Sequence, residues 1–306
     1  GALLGSMGID EQSQLEHRLN RDLATVAGRV ERAVAADKPS LAYFSPLPPE
    51  RTGISNYSLA LLPHLAAHYR ITVIVNQDRV DERPELAGIA VESHDWFQHR
   101  ADQFDRILYH IGNAPFHGHM FDALTRWPGV VMLHDFFLGH VVGHLNNLNP
   151  GYLQKCLYEG WGFSALADCQ DKASPEDIIW QYPLNAEVLD NALGMIVHSA
   201  YSQTLARLYF RDALRQQWHI IPHLKEPAEE TDKLQARRQL GLPEDAFVVC
   251  SFGHITPTKL HLNILRAWQA SQLHSDSQCW LVFVGEVATG RHGEQISKLL
   301  NKLKNL

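Results

Sequence analysis

Residues 41–57 read Leu41-Ala42-Tyr43-Phe44-Ser45-Pro46-Leu47-Pro48-Pro49-Glu50-Arg51-Thr52-Gly53-Ile54-Ser55-Asn56-Tyr57. An apolar run comes first, then a proline-rich turn, then an apolar-periodic segment from Tyr57 to His68. That order predicts a strand, a turn and a helix beginning near Gly53. In open α/β sheets ligands bind at the carboxyl ends of strands, and helix N-termini favour anionic groups. Gly53 carries no Cβ, so the backbone there can approach a ligand closely. Alone, the stretch reads equally well as a structural strand-to-helix turn. Its surroundings have to decide.

Working outward, short β-branched runs alternate with helical segments. Strands are expected at 41–45, 71–76, 89–92, 106–111, 130–134, 194–198 and 218–221, and helices at 54–68, 117–126, 136–146, 152–168, 185–191 and 201–214. This alternation predicts an α/β fold, a Rossmann-like parallel sheet with helices on both faces. Near Pro222 to Glu230 the chain turns polar and proline-bearing, which reads as a domain crossing. A second α/β unit follows, with helices at 232–240, 259–272 and 294–303 and strands at 247–252 and 279–284. Two strands with their helices amount to about half of a nucleotide-binding unit, so this domain reads as truncated.

Ahead of the sheet, Leu15, Leu19, Leu23, Val26, Val30 and Val34 fall on one helical face of residues 9–36. Acids and bases balance on the rest of that helix, whereas a membrane-surface helix normally carries a basic excess. Packing on the body of the protein or on a partner helix is therefore favoured over peripheral membrane contact. Pro39 ends the segment. The expected organisation is a cloning remnant at 1–8, an amphipathic helix at 9–38, a first Rossmann-like domain at 39–225 and a partial second one at 226–306.

Composition bounds the function. The chain has 306 residues, 45% of them hydrophobic and 20% charged, as in ordinary globular proteins. A net charge of −7 gives no global basic field for nucleic acid. No apolar run reaches the roughly 18 residues of a membrane-spanning helix. Cys156, Cys169, Cys250 and Cys279 form no C-x-x-C pair and read as buried free thiols in a reducing, cytoplasmic setting. The 18 histidines include the pair His140 and His144 but no H-E-x-x-H, so no metal is expected.

Several motifs occur in a telling order. Ser45 to Tyr57 is followed by Val131-Met132-Leu133-His134-Asp135, then Ile196-Val197-His198-Ser199, Phe252-Gly253-His254-Ile255-Thr256-Pro257-Thr258-Lys259 and Leu281-Val282-Phe283-Val284-Gly285-Glu286. Together, over roughly Leu41 to Leu303, they resemble retaining glycosyltransferases of the two-Rossmann-domain GT-B type, close to family 4. The resemblance implies a nucleotide-diphosphate sugar as donor, a glycan or lipid-linked acceptor, and no metal or other cofactor. It implies an acceptor-side N-terminal domain and a donor domain that this chain holds only in part.

The departing diphosphate develops negative charge, which preorganised donors must meet. The resemblance places Lys259 on the diphosphate, with the backbone around Gly53 completing the cradle. Where the family carries arginine, five positions before that lysine, this chain has His254, which is mostly neutral near pH 7. Lys259 also reads as a solvated residue at a helix start. His134 ends an apolar strand, and the resemblance makes it catalytic, hydrogen-bonded to the donor sugar or supporting developing charge. In the implied retaining reaction the leaving phosphate oxygen takes the acceptor proton, so His134 need not be a general base. A satisfied, half-buried histidine is the structural alternative. Asp135 orients a ring nitrogen, binds an acceptor hydroxyl or caps a helix before Phe136. Asn113, His117 and Tyr57 are acceptor-side candidates, with a turn and helix cap as the alternative for the first two. Tyr158, Trp161, Trp180 and Tyr182 are favoured as core over a sugar platform.

The family's E-x7-E pair cannot be assigned. Glu286 and Glu294 have the spacing but follow the second strand too early. The expectation is a glycosyltransferase fragment of polysaccharide or glycoconjugate synthesis, inactive alone. The alternatives are a binding or assembly module, and an epimerase or phosphorylase on the same fold.

Overall fold

The computed structural model describes residues 38–171, 175–210, 217–225, 231–256, 259–287 and 291–300. Residues 1–8 and the helix expected at 9–36 lie outside these, as do Pro257 and Thr258. The chain divides into two units, Gly1–Glu226 and Pro227–Leu306.

The first unit is built on β1 (Ser40–Phe44), all five residues of which are buried. Successive side chains of a strand point to opposite faces. Ala42 and Phe44 accordingly enter one apolar core, and Leu41 and Tyr43 enter the other. Burial on both faces is what a parallel sheet requires. β1 is joined by β2 (Arg70–Val75), β3 (Ala90–Ser93), β4 (Arg106–Ile111), β5 (Val130–Leu133), β6 (Gly194–Val197) and β7 (Gln217–Ile220). Every pairing is parallel, in the order β3-β2-β1-β4-β5-β6-β7.

The chain runs outward from β1 to β3, then crosses to the other side of β1 for β4. Connections leave β1 and β4 in opposite directions, which opens a crevice at their carboxyl ends. The turn after β1 lies there. Its Leu47 is held by both ends of the Gln77 amide: Leu47 N–H donates to Oε1 at 3.0 Å, and Nε2 donates to the Leu47 carbonyl at 2.9 Å. The turn delivers the chain into α1 (Gly53–Ala66), whose Thr52 cap accepts from the Ser55 N–H at 2.9 Å.

The expected helices differ from the observed ones in instructive places. The helix expected at 152–168 is broken in two, α5 (Tyr152–Trp161) and α6 (Phe163–Asp171), because Gly162 takes a positive φ of 71°. The helix expected from residue 136 begins only at Gly139, as α4 (Gly139–Leu148). The helix expected from 117 is a 3₁₀ turn at Pro115–His117 followed by α3 (His119–Arg126). α2 (His94–Gln98) and α7 (Pro175–Gln181) were not expected; α8 (Ala186–Asn191) and α9 (Ala200–Tyr209) were.

The second unit pairs β8 (Phe247–Phe252) with β9 (Cys279–Val284), parallel and in register from Phe247↔Cys279. α10 (Lys233–Gln239), α11 (His261–Ala270) and α12 (Arg291–Leu300) accompany them. Ile255, Leu265, Trp268, Cys279, Leu281 and Ile296 form its core. Gly253 and Gly285 end the two strands with positive φ, and a Cβ on Gly285 would run into the Gly253 carbonyl. The four cysteines are free, but only Cys156 and Cys279 are buried; Cys250, expected inside, is exposed on β8. Among the described residues no helix is long and apolar enough to cross a membrane.

Candidate functional site

Five of the seven strands of the first unit carry a histidine at or just beyond their carboxyl ends: His94, His110, His134, His198 and His223 follow or close β3 to β7. Parallel strands bring all their carboxyl ends to one edge, so residues far apart in sequence meet there. Three of the rings form a chain. His110 Nδ1 lies 3.0 Å from His134 Nε2, and His134 Nδ1 lies 3.2 Å from His198 Nε2. His198 Nδ1 closes the chain on the Ile221 carbonyl at 3.0 Å.

Tyr57, one turn into α1, braces this row. Its ring centroid lies 5.2 Å from that of His134, 5.3 Å from His198 and 4.7 Å from His223. Tyr57 is 4% exposed, and burial raises its pKa. α1 reaches β4 at Gly112 as well, where a Cβ would collide with Ile54 Cδ1 and press on His117 Nε2 and Asp135 Oδ2. A glycine is what lets this helix start sit on the strand end.

Burial sets the charge of the row. The His134 pKa is lowered to about 3, chiefly by desolvation and next by His198. His110 is held well below the ordinary value by complete burial and then by His134, and His198 is lowered by burial. The rings are therefore neutral near pH 7. They bond to one another instead of converging on a common point. Among the described residues no group of three or more His, Cys, Asp or Glu could hold a metal ion.

The expected site residues divide sharply in what they can reach. Both ring nitrogens of His134 are occupied by neighbouring histidines, so a direct bond from it to a ligand requires one of those to open. Asp135 is exposed, its Oδ2 accepting from the Asn113 N–H at 2.9 Å. It caps no helix. That task falls to Asn113, whose Oδ1 accepts from the His140 and Val141 N–H groups at 2.8 and 3.2 Å, in the first turn of α4. His117 is fully buried, with its pKa lowered to about 4 by desolvation, so a ligand at the surface does not reach it directly. Gly53 stands open: a Cβ there would meet nothing within 4 Å. Among the aromatics, Tyr182 is core, whereas Trp180, 54% exposed, stands edge-on to His140 with ring centroids 5.4 Å apart.

In the second unit His254 and Lys259 are both exposed beyond β8. Lys259 Cε reaches to 4.0 Å from where a Gly253 Cβ would stand, so the side chain folds back over the strand end. Lys259 precedes α11 instead of starting it, because Leu260 intervenes with φ of 57°.

The sequence matches no protein-family model and no curated protein. Among solved structures, Anabaena HepE in complex with UDP-glucose is similar over 87% of this chain and 66% of its own, with a TM-score of 0.52 at 15% identity. The same protein in complex with UDP and glucose gives 0.51, over 86% of this chain and 66% of its own. The fold is that of the GT-B glycosyltransferases. This chain spans 66% of the length of those GT-B structures.

Within the GT-B frame, the strand-end motif marks His134 from sequence alone, His198 falls inside the strand motif Ile196-Val197-His198-Ser199, and His110 and His223 belong to no motif. The available signal was positional, a histidine at one strand end after another.

Proposed function

We propose that this chain carries the acceptor-side unit and part of the donor unit of a retaining, family 4-like glycosyltransferase. The donor is a nucleotide-diphosphate sugar, and the acceptor is a glycan or lipid-linked saccharide of polysaccharide or glycoconjugate synthesis. The observation that carries the reading is the histidine-lined carboxyl edge beside the β1/β4 crossing, in a fold shared with a protein solved with UDP-glucose.

A histidine with a pKa of about 3 is neutral at pH 7 and a poor base there. That favours the retaining route, in which the leaving phosphate oxygen takes the acceptor proton. Lys259, folded over the end of β8 in the second unit, supplies the point charge for the diphosphate. With Lys259 as the cation the reading needs no metal. It places the protein in the cytoplasm, with residues 9–36 available to a partner helix or a membrane face.

Calorimetric titration with UDP and UDP-glucose tests the donor. Lys259→Ala should weaken UDP binding about tenfold, roughly 1.4 kcal/mol, at unchanged melting temperature. Equal affinity in the variant ends the diphosphate role. In the enzyme with a complete donor unit, His134→Ala should lose about 100-fold or more in turnover while remaining folded, a loss on the order of that seen when a group at the reacting edge is removed. Wild-type turnover would return His134 to a structural role. The anomeric configuration of the product, read by NMR, decides retention.

A further inference from the structure

The rings around Tyr57 differ in what they leave free. A carbonyl oxygen only accepts, so the Ile221 bond puts the proton of neutral His198 on Nδ1. Its Nε2 is then a lone pair, which makes His134 the donor through Nδ1. His134 Nε2 is in turn a lone pair, and it receives the Nδ1–H of His110. One backbone carbonyl thus sets the proton positions of three rings. Every nitrogen of His134 and His198 is committed, and the last open one, His110 Nε2, is sealed in the interior.

His223 is built differently. Its Nδ1 lies 3.0 Å from the Leu224 carbonyl, which again holds the proton on Nδ1. Nε2 makes no hydrogen bond among the described residues, and the residue is exposed. The ring is not loose: it stands against Tyr57 at 4.7 Å and 62°, and against His198 at 4.9 Å and 53°. Tyr57 is itself held by the row behind it. An unprotonated imidazole nitrogen takes a hydrogen bond from a hydroxyl, not from a phosphate oxygen, which only accepts.

We propose that His223 is the histidine that meets the ligand at this edge, its Nε2 accepting a hydrogen bond from a hydroxyl of the transferred sugar. The inference rests on the nucleotide-sugar reading, because the sugar is the hydroxyl-rich part of such a donor. His134 and His198 are then positioning residues that hold Tyr57 and, through it, His223.

Diethyl pyrocarbonate acylates accessible unprotonated imidazole nitrogens, and peptide mapping by mass spectrometry locates the sites. His223 is expected to react readily, with His134 and His110 untouched. Saturating UDP-glucose should slow labelling of His223 at least fivefold, and UDP alone should not. His223→Leu should weaken UDP-glucose at least fivefold while leaving UDP affinity unchanged, a split that a purely structural residue would not produce. Labelling of His134 as fast as His223, equal protection by UDP, or no protection by UDP-glucose that calorimetry shows to be bound, each overturns the assignment while leaving the nucleotide-sugar reading in place. Failure of both UDP and UDP-glucose to bind overturns that reading and the assignment with it.

Discussion

Strands β1 and β8 look alike on paper and fare differently in the fold. Both are short apolar runs followed by a turn and a helix, and both open an α/β unit. β1 lies between β2 and β4 with an apolar core on each face, and its Phe44 is fully buried. β8 pairs only with β9 among the described strands; its Phe247 is 57% exposed and its Phe252 72%. An apolar run predicts a strand because it suits a pleated ribbon. How deeply that strand is buried depends on how many layers pack on it, which is a property of its neighbours.

Acidification should separate the units most strongly. His110, His117, His119 and His134 of the first unit all have folded pKa values below that of a free histidine, through burial first. At pH above about 6.5 neither the folded nor the unfolded chain binds these protons, and stability is complete. Below that, the unfolded chain takes up protons that the folded one refuses. Each histidine then costs up to about 1.4 kcal/mol per pH unit, until its own folded pKa is reached. For His117 that end lies at about 4, and for His119 and His134 at about 3. Urea denaturation should show the first unit losing several kcal/mol between pH 7 and pH 5, on the order of this per-histidine slope. A flat midpoint over that range would break the contrast.

A phenylalanine pair sharpens it next. Phe44→Ala should cost about 3–5 kcal/mol by emptying a filled core site. Phe252→Ala removes a largely exposed ring and should stay within about 0.5 kcal/mol. Equal losses in denaturant titrations would mean that the exposed face of β8 is covered in solution. The smallest difference concerns helix starts. Asn113 reaches across from the end of β4 to cap α4, and Asn113→Ala should cost about 1 kcal/mol. α11 begins after Leu260 in a left-handed conformation without a side-chain cap. Leu260→Gly should instead raise the melting temperature slightly, relieving about 1 kcal/mol.

Most of the architecture was legible because period and punctuation are local. The seven strands of the first sheet and the two of the second fall where short β-branched runs predicted them. Helix boundaries were harder. Gly162 does not announce from sequence that it will take positive φ, and α4 begins where a cap from another strand can reach it. His134 was legible as a strand-end residue. Its partners were not, since His110 and His198 lie 24 and 64 residues away and only the parallel order brings them together. The buried position of His117 was likewise hidden, because the residues that cover it come from other elements.

The sequence by itself determined that residues 41–57 are a strand, a proline-rich turn and a helix start, since each part follows from neighbouring side chains and backbone preferences. It also determined the α/β class, through the alternation that follows. Tertiary structure alone decided what stands behind that turn. Parallel pairing lines up strand ends regardless of their distance along the chain, and burial then strips charge from the histidines it gathers. Which ring keeps a free nitrogen was settled by two backbone carbonyls, at Ile221 and Leu224, that no side-chain pattern encodes.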